Sequence, residues 1–372
     1  MKFVGLVAWV ALVNMLSAAT LSNPRPVGTD FEFSVTGASN AIYAVETSSD
    51  LRNWTRVATN REFGEVRTIR MASSAQQEFY RVRPLQPLFT GALAVRESVE
   101  LFGSGVTVIS FDSHDPSFFH PDGTLDLNRF RDRGDIITSS AQTNSLIIGN
   151  GKVYGKLRAP VDGGAVLGPN GCVGSILWHL NGGQGIQPGY LVEETSRVFV
   201  DAELPSGHVY VTPEAGSIDG TNYTYVLSNG HYSLSELRMG SSNHVMLVTG
   251  RATLHVSGLF TVTQSAKILI GRDASLDLYV GGSAGISLSS VVNQNRAAAF
   301  VYYGLPGNTN VSVQGNGLFT GAIYAPAAAV IIGGGGNDEL EIRGALVGRN
   351  IKVNAKLILR YDEALGVAGP VW

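Results

Sequence analysis

The chain has 372 residues, with 27 Lys or Arg against 30 Asp or Glu, a formal net charge of −3. That near balance excludes a strongly basic nucleic-acid binder and a polyanionic tail. Charged residues make up only 15%, and 45 glycines accompany a 44% hydrophobic content, which excludes disorder and points to strands joined by tight turns.

Residues 1–19 read as a signal peptide. Lys2 supplies the charge, Phe3 to Leu16 an apolar run, and Ser17, Ala18 and Ala19 a small-residue cleavage site. The run is too short for a confident membrane span, and no later stretch reaches that length without charges. The expectation is an exported protein with no membrane span after signal removal. Cys172 is the single cysteine, so export brings no intramolecular disulfide. It lies in "GPNGCVGSILW", between turn residues and a strand, where a small buried filler is the better reading than a nucleophile.

Residues 20–86 carry short runs rich in β-branched and aromatic residues, "FEFSVTG", "AIYAVETSS", "WTRVATN", "EVRTIRMA" and "QEFYRVRPL", separated by polar turns. This spacing predicts a small antiparallel β module. "PLQPL" at 84–88 reads as a stiff linker.

Residues 87–372 change texture. "HVMLVTG", "ATLHVSG", "LFTVTQS", "KILIGRD", "SLDLYVGG" and "GISLSS" follow one another with aliphatic alternation and no helical period. Internal similarity favours stacked coils over hairpins. "YGKLRAP" (154–160), "TGAIYAP" (320–326), "FTGALAV" (89–95) and "RGALVG" (343–348) share a Gly–aliphatic core, and "ATLHVSG" and "ASLDLYVGG" start 22 residues apart. The expected fold is all-β: a right-handed parallel β-helix behind the small antiparallel module. Coils of ~22 residues with layers ~4.8 Å apart would give ~12 coils and a rod of ~60 Å. One end is expected to be covered by the linker and N-terminal module, the other by the segment running to Trp372.

Four stretches invite a chemical reading. "IIGGGGNDEL" lacks the Gly-Lys-Ser/Thr of a phosphate loop and precedes a strand-like pattern, so it reads as a wide turn. "FDSHDPSFFHPDGTLDLNRFRDRGD" (111–135) gathers Asp112, His114, Asp115, His120, Asp122 and Asp126. Such carboxylates can hold Ca²⁺, but the spacing is not that of an EF-hand, and the prolines and glycines favour a solvated loop. Trp54, Trp178, Tyr302 and Tyr303 would suit sugar stacking only if exposed together. Neighbouring tyrosines on one strand point to opposite faces, so packing is favoured. Asp273 and Asp277 are not shown to converge, and no nucleophile elbow or Ser-His-Asp order is visible. No catalytic, cofactor-binding or metal-ligating residue is assigned, and no cofactor.

Two resemblances add to this. "YAVETSSDLRNWTRVATN…EFYRVR" (about 43–83) resembles a small β module common in large secreted bacterial proteins. "SFDSHDP" (110–116), "GNGKVYGKLRAP" (149–160), "GCVGSILW" (171–178), "ASLDLYVGG" (274–282), "FTGAIYAPAAAVIIGGGG" (319–336) and "RYDEAL" (360–365) resemble an uncharacterised secreted bacterial domain of pilus-associated and adhesin-like proteins, thought to be β-helical. That family's closing motif often has His where this chain has Arg360, and it implies no established reaction. The sequence therefore leads to an exported, extracytoplasmic, non-enzymatic structural or adhesive protein, with a cell-surface or extracellular polymer or protein as partner. A polysaccharide-binding or polysaccharide-degrading β-helix is the alternative.

Overall fold

The computed structural model describes residues 20–27, 30–36, 42–51, 54–60, 67–72, 79–85, 87–194, 197–263, 265–334 and 339–367. The expected signal peptide lies outside them. The described chain is all-β, and its one α-helix is Ile176–Leu180. Two compact units divide it, one of residues 1–88 with 367–370, the other centred on Phe89–Gly366.

The first unit has two three-stranded antiparallel sheets. Asp30–Thr36 pairs with Thr20–Val27 and Arg67–Ala72, and Ile42–Ser48 with Thr55–Asn60 and Phe79–Leu85. Phe33 of one sheet meets Tyr80 of the other at 5.3 Å between ring centroids, and Phe33 and Val45 are buried. Pro84 and Leu85, expected in the linker, instead end the last strand. That strand is at a sheet edge, where the N–H that proline lacks is not needed.

In the second unit the chain winds around three faces, here A, B and C. On face A nine parallel pairings join ten strands. On face B, Leu237–Met239, Phe260–Val262, Ala284–Ser287 and Asn310–Gln314 lead through the ends of Gly317–Ile332 and Leu340–Val353 to the end of Leu93–Leu101. Face C includes Thr107–Phe111 and Leu357–Asp362. Partners on face A lie 22 residues apart at Gly230↔Ala252, 24 at Ala252↔Leu276 and 23 at Ala322↔Ala345. Inward positions are aliphatic or aromatic and fully buried, as Leu254, Leu278, Tyr302, Ile323, Leu346 and Leu93 show in one continuous row.

The order of layers differs from the expectation. The first strand, Leu93–Leu101, pairs on one side with Leu340–Val353 and on the other with Ile136–Thr138 and Leu146–Gly149. The chain thus enters the stack in its middle and winds outward to Leu191–Glu193. It then returns as an extended strap, residues 197–211, and winds back from Thr221 until Leu357–Asp362 closes on Thr107–Phe111. Neither the first nor the last coil forms an end, so the expected covers are replaced. At the far end the antiparallel hairpin Glu214–Ile218/Thr221–Leu227 lies across face C. Its two-residue turn is Asp219–Gly220, both with positive φ (50° and 76°), the backbone that matches strand twist. Val211 adds a parallel bridge to Tyr232 beside it. The count also falls short of ~12 coils, because the 112–135 loop, the Ile176–Leu180 helix and the strap leave the stack. Ten strands on face A span nine steps of ~4.8 Å, about 43 Å.

The strap closes over the outward row of face A. That row places His255, Tyr279, Tyr303 and Tyr324 on successive layers. Tyr279 and Tyr303 stack at 4.7 Å and are buried although they point away from the core. Tyr324 Oη donates to Val200 O at 2.5 Å, Arg96 donates to Phe199 O at 2.8 Å, and His208 stacks on His231 at 3.9 Å. These contacts fix the strap in place.

The four repeated Gly–aliphatic stretches meet at one corner. Leu157, Leu93, Leu346 and Ile323 share the inward row of face A. The glycine two residues earlier lies where layers approach most closely: a Cβ on Gly155 would sit 2.5 Å from Gly134 C, and one on Gly344 1.7 Å from Gly321 O.

Candidate functional site

Ionisable side chains concentrate where the first and last coils stack. Pairing of Thr107–Phe111 with Leu357–Asp362 sets Ser110 against Tyr361 and Phe111 against Asp362. The "SFDSHDP" and "RYDEAL" stretches thereby form one surface, although Ser113 and Asp362 are 249 residues apart in the chain. Arg131 is brought in by an antiparallel bridge to Ser110, and its guanidinium lies 4.8 Å over the Phe118 ring. Phe118 packs with Phe111 and Leu125 in a small core beneath the loop.

Around Glu363 the contacts are dense. Ser110 Oγ donates to Oε1 at 2.9 Å, and Arg131 and Arg133 donate to Oε2 at 3.2 and 3.1 Å. Arg131 also donates to Asp115 Oδ2 at 2.8 Å and lies 3.7 Å from Asp112. Cations and carboxylates answer one another within the cluster, so the arrangement clasps two coils. A second pair continues it: Arg360, buried at 5% exposure, donates to Glu341 Oε1 at 3.0 Å, and Arg343 reaches the same oxygen at 2.8 Å. Arg360, which replaces the expected histidine, is held as a buried cation.

Asp362 differs from its neighbours. It is 1% exposed, and its Oδ1 accepts the Ser113 and Ala364 N–H groups at 3.0 and 3.2 Å, while Oδ2 has no hydrogen-bond partner. Burial pushes its carboxyl pKa above the ordinary range; the bonds from Ser113 and Ala364 oppose this, and the Asp112 charge adds to it. An acid whose folded pKa is raised stabilises the fold while protonated, and that contribution is lost as pH rises through the folded value. Asp362→Asn keeps the acceptor and cannot ionise. The variant is expected to gain about 2–4 °C in melting temperature over the native chain as pH rises from acid to neutral. Scanning calorimetry at several pH values checks this, and parallel curves would reject it.

The 111–135 carboxylates fold back on their own backbone. Asp112, Asp115, Asp122 and Asp126 each accept the N–H two residues on, at 2.9–3.0 Å. Bonds from Ser117, with Arg131 adding, lower the Asp115 pKa, and bonds from Thr124 lower that of Asp122. Among the described residues no group of three or more His, Cys, Asp or Glu is placed to hold a metal ion.

Other singled-out residues are dispersed. Cys172 is buried and donates to Gly183 O at 3.1 Å, and burial pushes its thiol pKa up, away from the reactive thiolate. Trp54 lies under the Arg81 guanidinium at 4.2 Å, and Trp178 covers Gly174 and Gly183. Tyr302 packs inward against Phe260, and Tyr303 outward against Tyr279. Asp273 sits in a left-handed turn at φ 61°, whereas Asp277 is on the outward row of face A. Of the glycine run, Gly333 and Gly334 follow the Gly317–Ile332 strand, and residues 335–338 lie outside the described set. Sequence reading missed the strap and the row beneath it. The 24-residue spacing of Tyr279 and Tyr303 was the available signal.

Comparison with known proteins gives one similarity. Residues 200–367 match the family model of a domain of unknown function, DUF7305. The match takes in most of the strap and every later coil, and stops short of half the chain. No curated protein and no solved structure matches.

Proposed function

We propose that the Phe89–Gly366 unit is a right-handed parallel β-helix and that the protein is an exported, non-enzymatic structural or adhesive component of the cell surface. The observation that carries this is face A, in which ten strands keep register and a strap closes the outer row. Right-handedness follows from the general chirality of parallel crossovers, and the chain visits A, B and C in the same order on both sides of the seam. Such a stack offers long, fixed surfaces with equivalent positions on every layer, which suits holding a surface polymer or protein. Residues 1–19, read as a signal peptide, supply the export. No helix among the described residues is long and apolar enough to cross a membrane.

The test is retention of the purified protein on envelope fractions of the producing cell, combined with an assay for new reducing ends. Saturable retention without product supports an adhesive role. Loss of retention, or release of sugar ends, overturns it.

A further inference from the structure

Face B carries a groove of about 390 Å³, lined by Thr263, Gly285, Ile286, Ser287, Ser312 and Gln314. The lining has no charge. Three hydroxyls and an amide come from three successive layers, and Gln314 Nε2 donates to Ser312 Oγ at 2.9 Å, which sets the amide along its strand.

The row that starts in this groove continues along the stack. Ser287 pairs with Gln314, and ladder bonds carry the row onward: Gly333 N–H to Val313 O at 2.9 Å, Asn354 N–H to Ile332 O at 2.8 Å and Phe102 N–H to Val353 O at 2.9 Å. It therefore reads Thr263, Ser287, Gln314, Gly333, Asn354, Phe102. Phe102 is 54% exposed, with the Lys352 ammonium 5.1 Å from its ring centre.

Two glycines on this face are not demanded by the fold. Gly285 sits mid-strand in regular register with Thr261 and Ser312, without positive φ, and a Cβ there would touch only Thr261 Cγ2 at an ordinary 3.6 Å. At Gly333 a Cβ would have no described atom within 4 Å. Glycine weakens a strand interior and is found at bulges, at close backbone approach, or where a ligand comes near. The first two are absent at Gly285, which leaves the third.

We infer that face B binds a neutral, extended β-linked polysaccharide lying along the stack axis, with the notch at Gly285 seating a ring and Phe102 offering an apolar surface for another. Uncharged donors and acceptors match sugar hydroxyls, and an exposed aromatic ring suits the apolar face of a pyranose. Layers ~4.8 Å apart repeat at nearly the length of one sugar in an extended β-1,4 chain, so each layer meets an equivalent unit. This rests on the adhesive reading and names its ligand class.

Calorimetric titration with cellohexaose, xylohexaose and chitohexaose, with α-linked maltohexaose as control, tests it on the native protein and on Gly285→Val and Phe102→Ala. Binding of a β-linked hexamer over maltohexaose is expected, weakened by about tenfold or more in each variant, with the Gly285→Val melting temperature unchanged or raised. Equal binding of maltohexaose, indifference to both substitutions, or no binding at millimolar sugar overturns the inference. Envelope retention measured in parallel separates the two readings: retained protein that binds no hexamer sinks the groove alone, and lost retention sinks the adhesive role.

Discussion

Replacing Gly344 with alanine is expected to cost at least ~3–4 kcal/mol and to leave the Phe89–Gly366 unit largely unfolded under mild denaturant. Gly344 has φ 152°, where side-chain-bearing residues are rare, and its Cβ would lie 1.7 Å from Gly321 O. Neither partner has room to yield. Gly344 is paired with Gly321 on one side and Tyr361 on the other, and Ala345 and Leu346 beside it are fully buried. A shift large enough to relieve the clash would break ladder bonds on both sides. Gly333→Ala is the matched control: it adds the same methyl where no described atom is within 4 Å, and should stay within about 0.5 kcal/mol of the native chain. Urea unfolding of the two variants decides the matter. A Gly344→Ala midpoint close to native would refute the corner argument.

The same corner shows what was readable before any coordinates. Four short Gly–aliphatic stretches pointed to stacking, and Leu157, Leu93, Leu346 and Ile323 do share one inward row. Register was less accessible. Similarity set Ala252 opposite Ala274, whereas Ala252 pairs with Leu276. Side chains alternate with period two, so a two-residue slip leaves every residue on its correct face, and burial patterning cannot detect it. Layer order was invisible for a different reason. A parallel coil accepts a neighbour from anywhere in the chain, so alternation in 89–111 and in 340–362 is the same whether they touch or lie at opposite ends. The candidate site shared that fate: both of its stretches were singled out, but only the seam makes them one surface. The strap, with Val198, Val200 and Val209 exposed, has a strand-like composition that did not mark it as a cover.

That layer order predicts a severe result for a modest truncation. In a linear stack, stopping the chain after Ile332 would remove an end coil and leave a shorter stack. Here residues 340–362 are an interior layer, paired with Gly317–Ile332 on one side and with the opening coil on the other. Leu340, Ile342, Leu346, Val347, Ile351, Val353, Leu357 and Leu359 all have 0% exposure. Each contributes about 1.5–3 kcal/mol when buried, against a typical total stability of 5–15 kcal/mol. The truncation also removes Glu363, Asp362 and Arg360, leaving Arg131 and Arg133 without Glu363. Both halves of the stack would then be joined only through the strap. The truncated chain is expected to be insoluble, or soluble with exposed apolar surface that binds a hydrophobic dye, and to lack a cooperative melt. A nick at Gly207 in the strap breaks no layer, and its two fragments should co-elute until denatured. If the truncated chain instead melts cooperatively near the native temperature, the opening coil does not rest on the closing one, and the order of layers given above is wrong.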